Sequence, residues 1–191
     1  MLVFSAVTYE SSQRQENLQI DESLFARIGI GEKNAFCELY QITNNAIFSF
    51  ALSLLHNQQD AEDAVQETYI KIRSAAHLYT PMGKPLAWIF TITRNVCLMR
   101  LRTQKHYAAM PFDDIKDKPD CSGIQDREDR IVLETAFQVL SSDEIQIIVL
   151  HAVSGMKHRE ISELLHLPLS TVLSKYNRAL KKLRSELENL L

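Results

Sequence analysis

KHREISELLHLPLSTVLSKYNRALKKLRS, residues 157–185, holds two helical patterns separated by a break. Ile161, Leu164 and Leu165 recur at i, i+3 and i+4, the buried stripe of a short helix. Val172, Tyr176, Ala179, Leu180 and Leu183 form the inner stripe of a second. His166-Leu167-Pro168 is the turn between them. Pro168 suits a helix start, where the N–H it lacks would have had no partner. The stretch therefore reads as a helix-turn-helix. The second helix turns Thr171, Ser174, Lys175, Arg178, Lys181 and Lys182 outward. Short hydroxyls near its N-terminus can approach base edges, and the cations that follow can hold phosphates. A helical hairpin with merely solvated charges is the alternative with the same apolar pattern.

Upstream of this motif, SGMK is a turn, and a helix is expected over 144–153. Ser141 and Glu144 fit the S-x-x-E capping box at its start, worth about 1 kcal/mol. A further helix over 130–140 gives the C-terminal part, 129–191, four helices. Residues 106–128, HYAAMPFDDIKDKPDCSGIQDRE, lose all periodicity and hold two Pro, one Gly and many Asp. They read as a flexible linker.

The N-terminal part, 21–105, is helical too. Residues 1–20 are polar and aperiodic after the first few and read as a flexible arm. A first helix starts at Asp21 as N-cap and runs to residue 28, where GIGEK breaks it. A second covers 33–55. HNQQD is a turn, with Asp60 placed to cap the next helix. In QQDAEDAVQETYIKI, residues 58–72, Ala61, Ala64, Val65, Thr68 and Ile72 make one buried stripe. Asp63, Gln66, Glu67 and Ile70 share another face. YTPMGKP is a loop, and a fourth helix covers 85–104, its basic residues toward the C-terminal half where they suit the helix dipole. The fold class is all-α: two helical domains on either side of a linker.

Composition agrees. The hydrophobic share of 46% and charged share of 24% are ordinary for a globular chain of 191 residues, and five Gly and five Pro are few. Net charge is −3, so the whole chain has no general attraction for nucleic acid. Yet residues 84–105 carry Lys84, Arg94, Arg100, Arg102 and Lys105 with no acidic residue among them. Cys37, Cys97 and Cys121 are odd in number and far apart, which excludes a disulfide framework and a CxxC metal site. No signal peptide and no membrane-spanning run is read, and the cytoplasm is the expected compartment. The six His are scattered, with no H-x-x-x-H, nucleophile elbow or phosphate-binding Gly loop. No catalytic residue, metal site or cofactor is expected.

Two faces need a chemical role. A carboxylate pair beside an amide, as on Asp63, Gln66 and Glu67, would repel phosphate but can accept Arg from another protein. A solvated helix face is the alternative. The basic stretch has Tyr79, Trp88 and Phe90 as neighbours; aromatics beside cations can hold unstacked bases at about 1–3 kcal/mol each. Alternatively Trp88 and Phe90 belong to the core.

QQDAEDAVQETYIKI, then KPLAWIFTITRNVCLMRLR, then the linker, then LSSDEIQIIVLHAVSGMKHREISELLHLPLSTVLSKYNRALKKLRSEL, resembles the extracytoplasmic-function group of bacterial sigma factors. The resemblance covers about 21–105 and 129–188. It implies that the first domain binds the RNA polymerase core and opens the promoter's −10 element, and that the second sets its recognition helix on the −35 element. Carried across, Asp63, Gln66, Glu67 and Ile70 would contact polymerase. Tyr79, Lys84, Arg94, Asn95, Arg100 and Arg102 would contact the −10 element, with Trp88 in the core. Thr171, Ser174, Lys175, Arg178, Lys181 and Lys182 would contact the −35 element. An anti-sigma protein is an implied partner. The sequence departs from the family where Lys157 replaces a hydroxyl helix cap, His166 a turn Gly, and Leu173 a basic residue; these bear on −35 affinity. The alternative expectation is a free-standing helix-turn-helix regulator with a helical sensor domain.

Overall fold

The computed structural model describes residues 20–107, 134–136 and 138–190, which fall into two compact units, 20–107 and 134–190. The expected arm lies outside the described residues except for Ile20, which is buried, and the expected linker except for residues 106–107, which prolong α4 beyond the helix expected over 85–104. No strand occurs among those described.

The first unit has four helices: α1 (Ser23–Gly29), α2 (Lys33–Leu55), α3 (Gln58–Ala75) and α4 (Pro85–Tyr107), with a single 3₁₀ turn, Ala76–Leu78, after α3. α3 packs against both α2 and α4. Phe25, Leu39, Ile47, Phe50, Ile72, Ile89 and Phe90 fill the core, Phe50 and Phe90 meeting edge to face at 5.3 Å. The Thr43 and Tyr69 hydroxyls share a buried hydrogen bond of 2.7 Å that fixes α2 against α3. Burial is the main cause that pushes the Tyr69 phenol well above its ordinary range. Gly29 lets α1 approach the 3₁₀ turn, because a Cβ there would meet the His77 backbone at 3.1 Å.

Two caps differ from expectation. α3 is capped by Asn57, whose side chain accepts from the Asp60 N–H at 3.0 Å, so Asp60 lies in the first turn and is not the cap. α1 begins at Ser23, and Asp21 accepts the Ser23 N–H at 2.9 Å from just outside it.

In the second unit residues 134–136 and 138–139 are helical, followed by α5 (Ser142–Ile148), α6 (His158–Leu165) and α7 (Leu169–Leu190). The expected capping box is present: Glu144 accepts the Ser141 N–H at 2.9 Å while Ser141 accepts the Glu144 N–H at 3.4 Å. The helix expected over 144–153 instead leaves α5 as a π turn, Val149–Val153. Ser154 supplies a reason: its hydroxyl takes the Leu150 carbonyl at 2.6 Å, and its N–H reaches one residue further back, to Val149 O at 3.2 Å. Gly155 at φ 72° then ends the helix. Ile145, Ile148, Leu150, Ile161, Val172, Ala179 and Leu183 form the core.

Cys37 and Cys97 are free thiols; burial pushes Cys97 up to about 12, so it packs as a small apolar side chain. Among the described residues no helix is long and apolar enough to cross a membrane.

Candidate functional site

On α3 the apolar stripe turns inward and sets the acceptor residues on the surface. Asp63, Gln66 and Ile70 are exposed, Ile70 at 68%, and Glu67 is half-buried. None of the three acceptors is buried. Arg100 of α4 reaches across to this face, 3.4 Å from Asp63 and 3.5 Å from Glu67. Gln104 donates to Asp60 at 2.9 Å, and Lys71 lies 3.5 Å from Glu67. The carboxylates are thus oriented by neighbours yet keep lone pairs toward solvent.

The structure separates the six residues associated with the −10 element. Lys84, Asn95 and Arg102 are exposed, and Arg94 is half-buried. Arg100 is directed to α3 instead, and its Nε is buried with no hydrogen-bond partner among the described residues. Tyr79 is no open stacking platform: its ring lies 4.2 Å from Phe25 and 5.2 Å from Trp88. Burial first, then the neighbouring Glu22 carboxylate, raises its phenol to about 12. The loop beside this aromatic trio, with Gly83 at φ 70°, exposes Leu78 and Met82 at 71% and 74%.

The helix-turn-helix forms as read. His166 closes α6 in the left-handed region at φ 56°, its N–H bonded to Ser162 O. The Glu160 carboxylate reaches back to the Lys157 N–H at 2.9 Å. The reciprocal bond of a capping box is missing, because an ammonium cannot accept.

α7 divides its cations. Lys175 pairs with Asp143 at 3.0 Å, and Lys182 with the buried Glu144 at 2.8 Å. Burial alone would raise the Glu144 carboxyl; hydrogen bonds from Lys182 and Ser141 outweigh it and hold the group below its ordinary value. At 3.6 residues per turn, Ser170, Ser174, Asn177 and Lys181 fall in one line opposite buried Val172, Ala179 and Leu183. Arg178 and Arg184 flank that line and are exposed; Thr171 is half-buried toward the α5 side. Sequence reading missed Asn177 and Arg184, both legible from the same helical spacing.

It also missed a cluster. His151 of the π turn and His158 of α6 stack at 4.0 Å, and both rings meet Tyr176 edge-on, at 4.8 and 4.7 Å. His151 Nδ1 lies 2.8 Å from the Met156 carbonyl and therefore donates to it. His158 is pulled below its ordinary value, by burial first and then by His151.

The family described as Sigma-70 region 2 matches residues 39–107, and Sigma-70, region 4 matches 130–183. The ECF RNA polymerase sigma factor SigK of Mycobacterium ulcerans is 29% identical over 174 residues, 87% of this chain and 92% of that protein. SigX of Bacillus subtilis, also an ECF sigma factor, is 24% identical over 83% of this chain and 86% of its own. Among solved structures, CnrH in complex with the cytosolic domain of CnrY has the same fold, with TM-score 0.61 and 24% identity over 88% of this chain and 97% of that one. With both sigma-70 regions matched in order along one chain of two helical units, the protein belongs to the extracytoplasmic-function group of the sigma-70 family.

Proposed function

We propose that the chain is a promoter-specificity subunit of RNA polymerase: it binds the core enzyme, recognises two promoter elements and helps melt the start region. What supports this reading most is one contrast within the chain. Three acceptors, Asp63, Gln66 and Glu67, are held at the surface of a unit matching Sigma-70 region 2, and an exposed polar line with the cations Arg178, Lys181 and Arg184 on or beside it lies on the second helix of the helix-turn-helix in a unit matching region 4.

The acidic face, with exposed Ile70 beside it, takes Arg and apolar groups of polymerase. Lys84, Arg94, Asn95 and Arg102 hold the strand at the −10 element, next to the Tyr79 loop. Thr171, Ser174, Arg178 and Lys181 meet the −35 element. Arg100 is assigned to α3, and Lys175 and Lys182 to α5, because each already has its carboxylate there. Residues 1–20 serve as an arm and 106–128 as the linker between the domains. An anti-sigma protein is a fitting regulator, since the similar sigma factor RpoE of Bartonella quintana was solved with the anti-sigma factor NepR. The chain itself carries no catalysis in this reading and works in the cytoplasm with polymerase.

The test adds the purified chain to core polymerase and a genomic fragment library. Transcripts starting from a small set of shared sequences are expected. Fragments bound equally well without core would overturn the reading.

A further inference from the structure

The exposed line of α7, Ser170, Ser174, Asn177 and Lys181, contains one side chain that carries a donor and an acceptor side by side. The Asn177 side chain is exposed and makes no hydrogen bond to the rest of the protein among the described residues. Its neighbours on the line are otherwise employed or differently suited. The Ser174 hydroxyl donates to the Thr171 carbonyl at 3.0 Å. Lys181 and flanking Arg178 are exposed cations, suited to the backbone. Lys175 and Lys182 are turned to Asp143 and Glu144. Asn177 is the ninth residue of α7, about two turns from its N-terminus, still within the part of a recognition helix that reaches base edges.

Resting on the −35 reading above, we propose that Asn177 is a specificity-determining residue that reads an adenine in the major groove of the −35 element. A carboxamide presents one acceptor and one donor side by side. Adenine presents the matching pair, its N6 amino group donating to Oδ1 and its N7 accepting from Nδ2. Guanine offers two acceptors there, so the amide satisfies only one and leaves its oxygen facing another oxygen. Leu173, 41% exposed one turn before, is placed to meet a thymine methyl rather than a phosphate. The departure from a basic residue at that position then shifts the balance of the helix from backbone grip toward base contact.

The experiment uses holoenzyme assembled from core polymerase and the wild-type chain, Asn177→Ala or Asn177→Arg. Each is bound to every single-base-pair variant of the upstream element selected by the wild type. One position of the wild-type profile should demand A·T, other pairs there binding about 5- to 150-fold more weakly. Asn177→Ala should flatten that position alone, and Asn177→Arg should move it to G·C. Loss of affinity spread equally over all sequences, or a profile unchanged by either variant, overturns the proposal. A wild-type holoenzyme that selects no upstream element overturns the −35 reading and this inference with it, and is recognisable because it appears before any variant is tested.

Discussion

His166 holds φ 56° as a residue with a Cβ, where glycine would sit without strain. Its N–H already bonds Ser162 O, so His166→Gly keeps the cap and removes the strain. The second unit should gain about 1 kcal/mol, read as a higher denaturant midpoint at unchanged slope. At the other end of α6, Lys157→Ser supplies the missing acceptor and should add about 1 kcal/mol more. His158 has the opposite relation to stability. Its folded value lies below the ordinary 6.5, so the unfolded chain takes up the proton first. Its contribution is complete above about pH 7 and is lost as pH falls through 6.5 toward the folded value. Melting of wild type against His158→Gln, scanned from pH 7.5 to 5, should show a steeper decline in the wild type, the variant keeping only the share of other groups such as His56, which burial also holds below its ordinary value. Parallel curves would show that the stacked imidazoles do not carry it. The turn at His166 was legible, since the two helical stripes break there and the resemblance puts a Gly at that position; its left-handed backbone is what the structure adds. The helix cap at Asn57 was not, because Asn57 and Asp60 are both good caps and only the reversal at His56, φ 54°, decides between them.

At the scale of elements, α7 both faces DNA in the proposed reading and closes its own domain. Lys182 serves the second role. Removing it leaves the Glu144 carboxylate, 3% exposed, with its cation gone and only Ser141 as donor. Lys182→Ala should therefore lower stability by about 1–3 kcal/mol. Arg178→Ala and Lys181→Ala, both exposed, should change stability by less than about 0.5 kcal/mol while each weakens DNA binding and lowers its salt slope by about one. If Lys182→Ala leaves the melt unchanged and weakens DNA like the others, its role belongs to the DNA face. The 3.6-residue period revealed α7 and its inner stripe from sequence. It could not apportion six outward residues between DNA and α5, because that depends on where Asp143 and Glu144 stand once the capping box has set the start of α5. The π turn was hidden for a related reason: one hydroxyl at Ser154 competes for a backbone carbonyl, and no apolar spacing records that.

For the whole molecule, net charge −3 means that nonspecific attraction to phosphate is weak, so promoter binding in this reading depends on polymerase. The acidic face of α3 is then the point on which function turns, and it can be altered with little damage to the fold. Asp63 and Glu67 contact Arg100 at 3.4 and 3.5 Å near the surface, pairs that contribute about 0–1 kcal/mol. Reversing both, Asp63→Lys with Glu67→Lys, sets two cations beside Arg100 and confronts any Arg of the partner with like charge. Core association should fall by more than about tenfold, since like-charge juxtaposition at an interface costs several kcal/mol. The helical signal should persist, and stability should drop by only about 1 kcal/mol per site. The neutral pair Asp63→Asn with Glu67→Gln keeps shape and removes charge, so its core affinity should fall between wild type and the reversal, and its association rate should lose most of its salt dependence. A reversal that leaves core affinity intact would remove the acidic face from the polymerase interface. A reversal that melts the unit would instead give Arg100 a larger structural share than its long contacts imply, and the neutral pair would then separate the two effects.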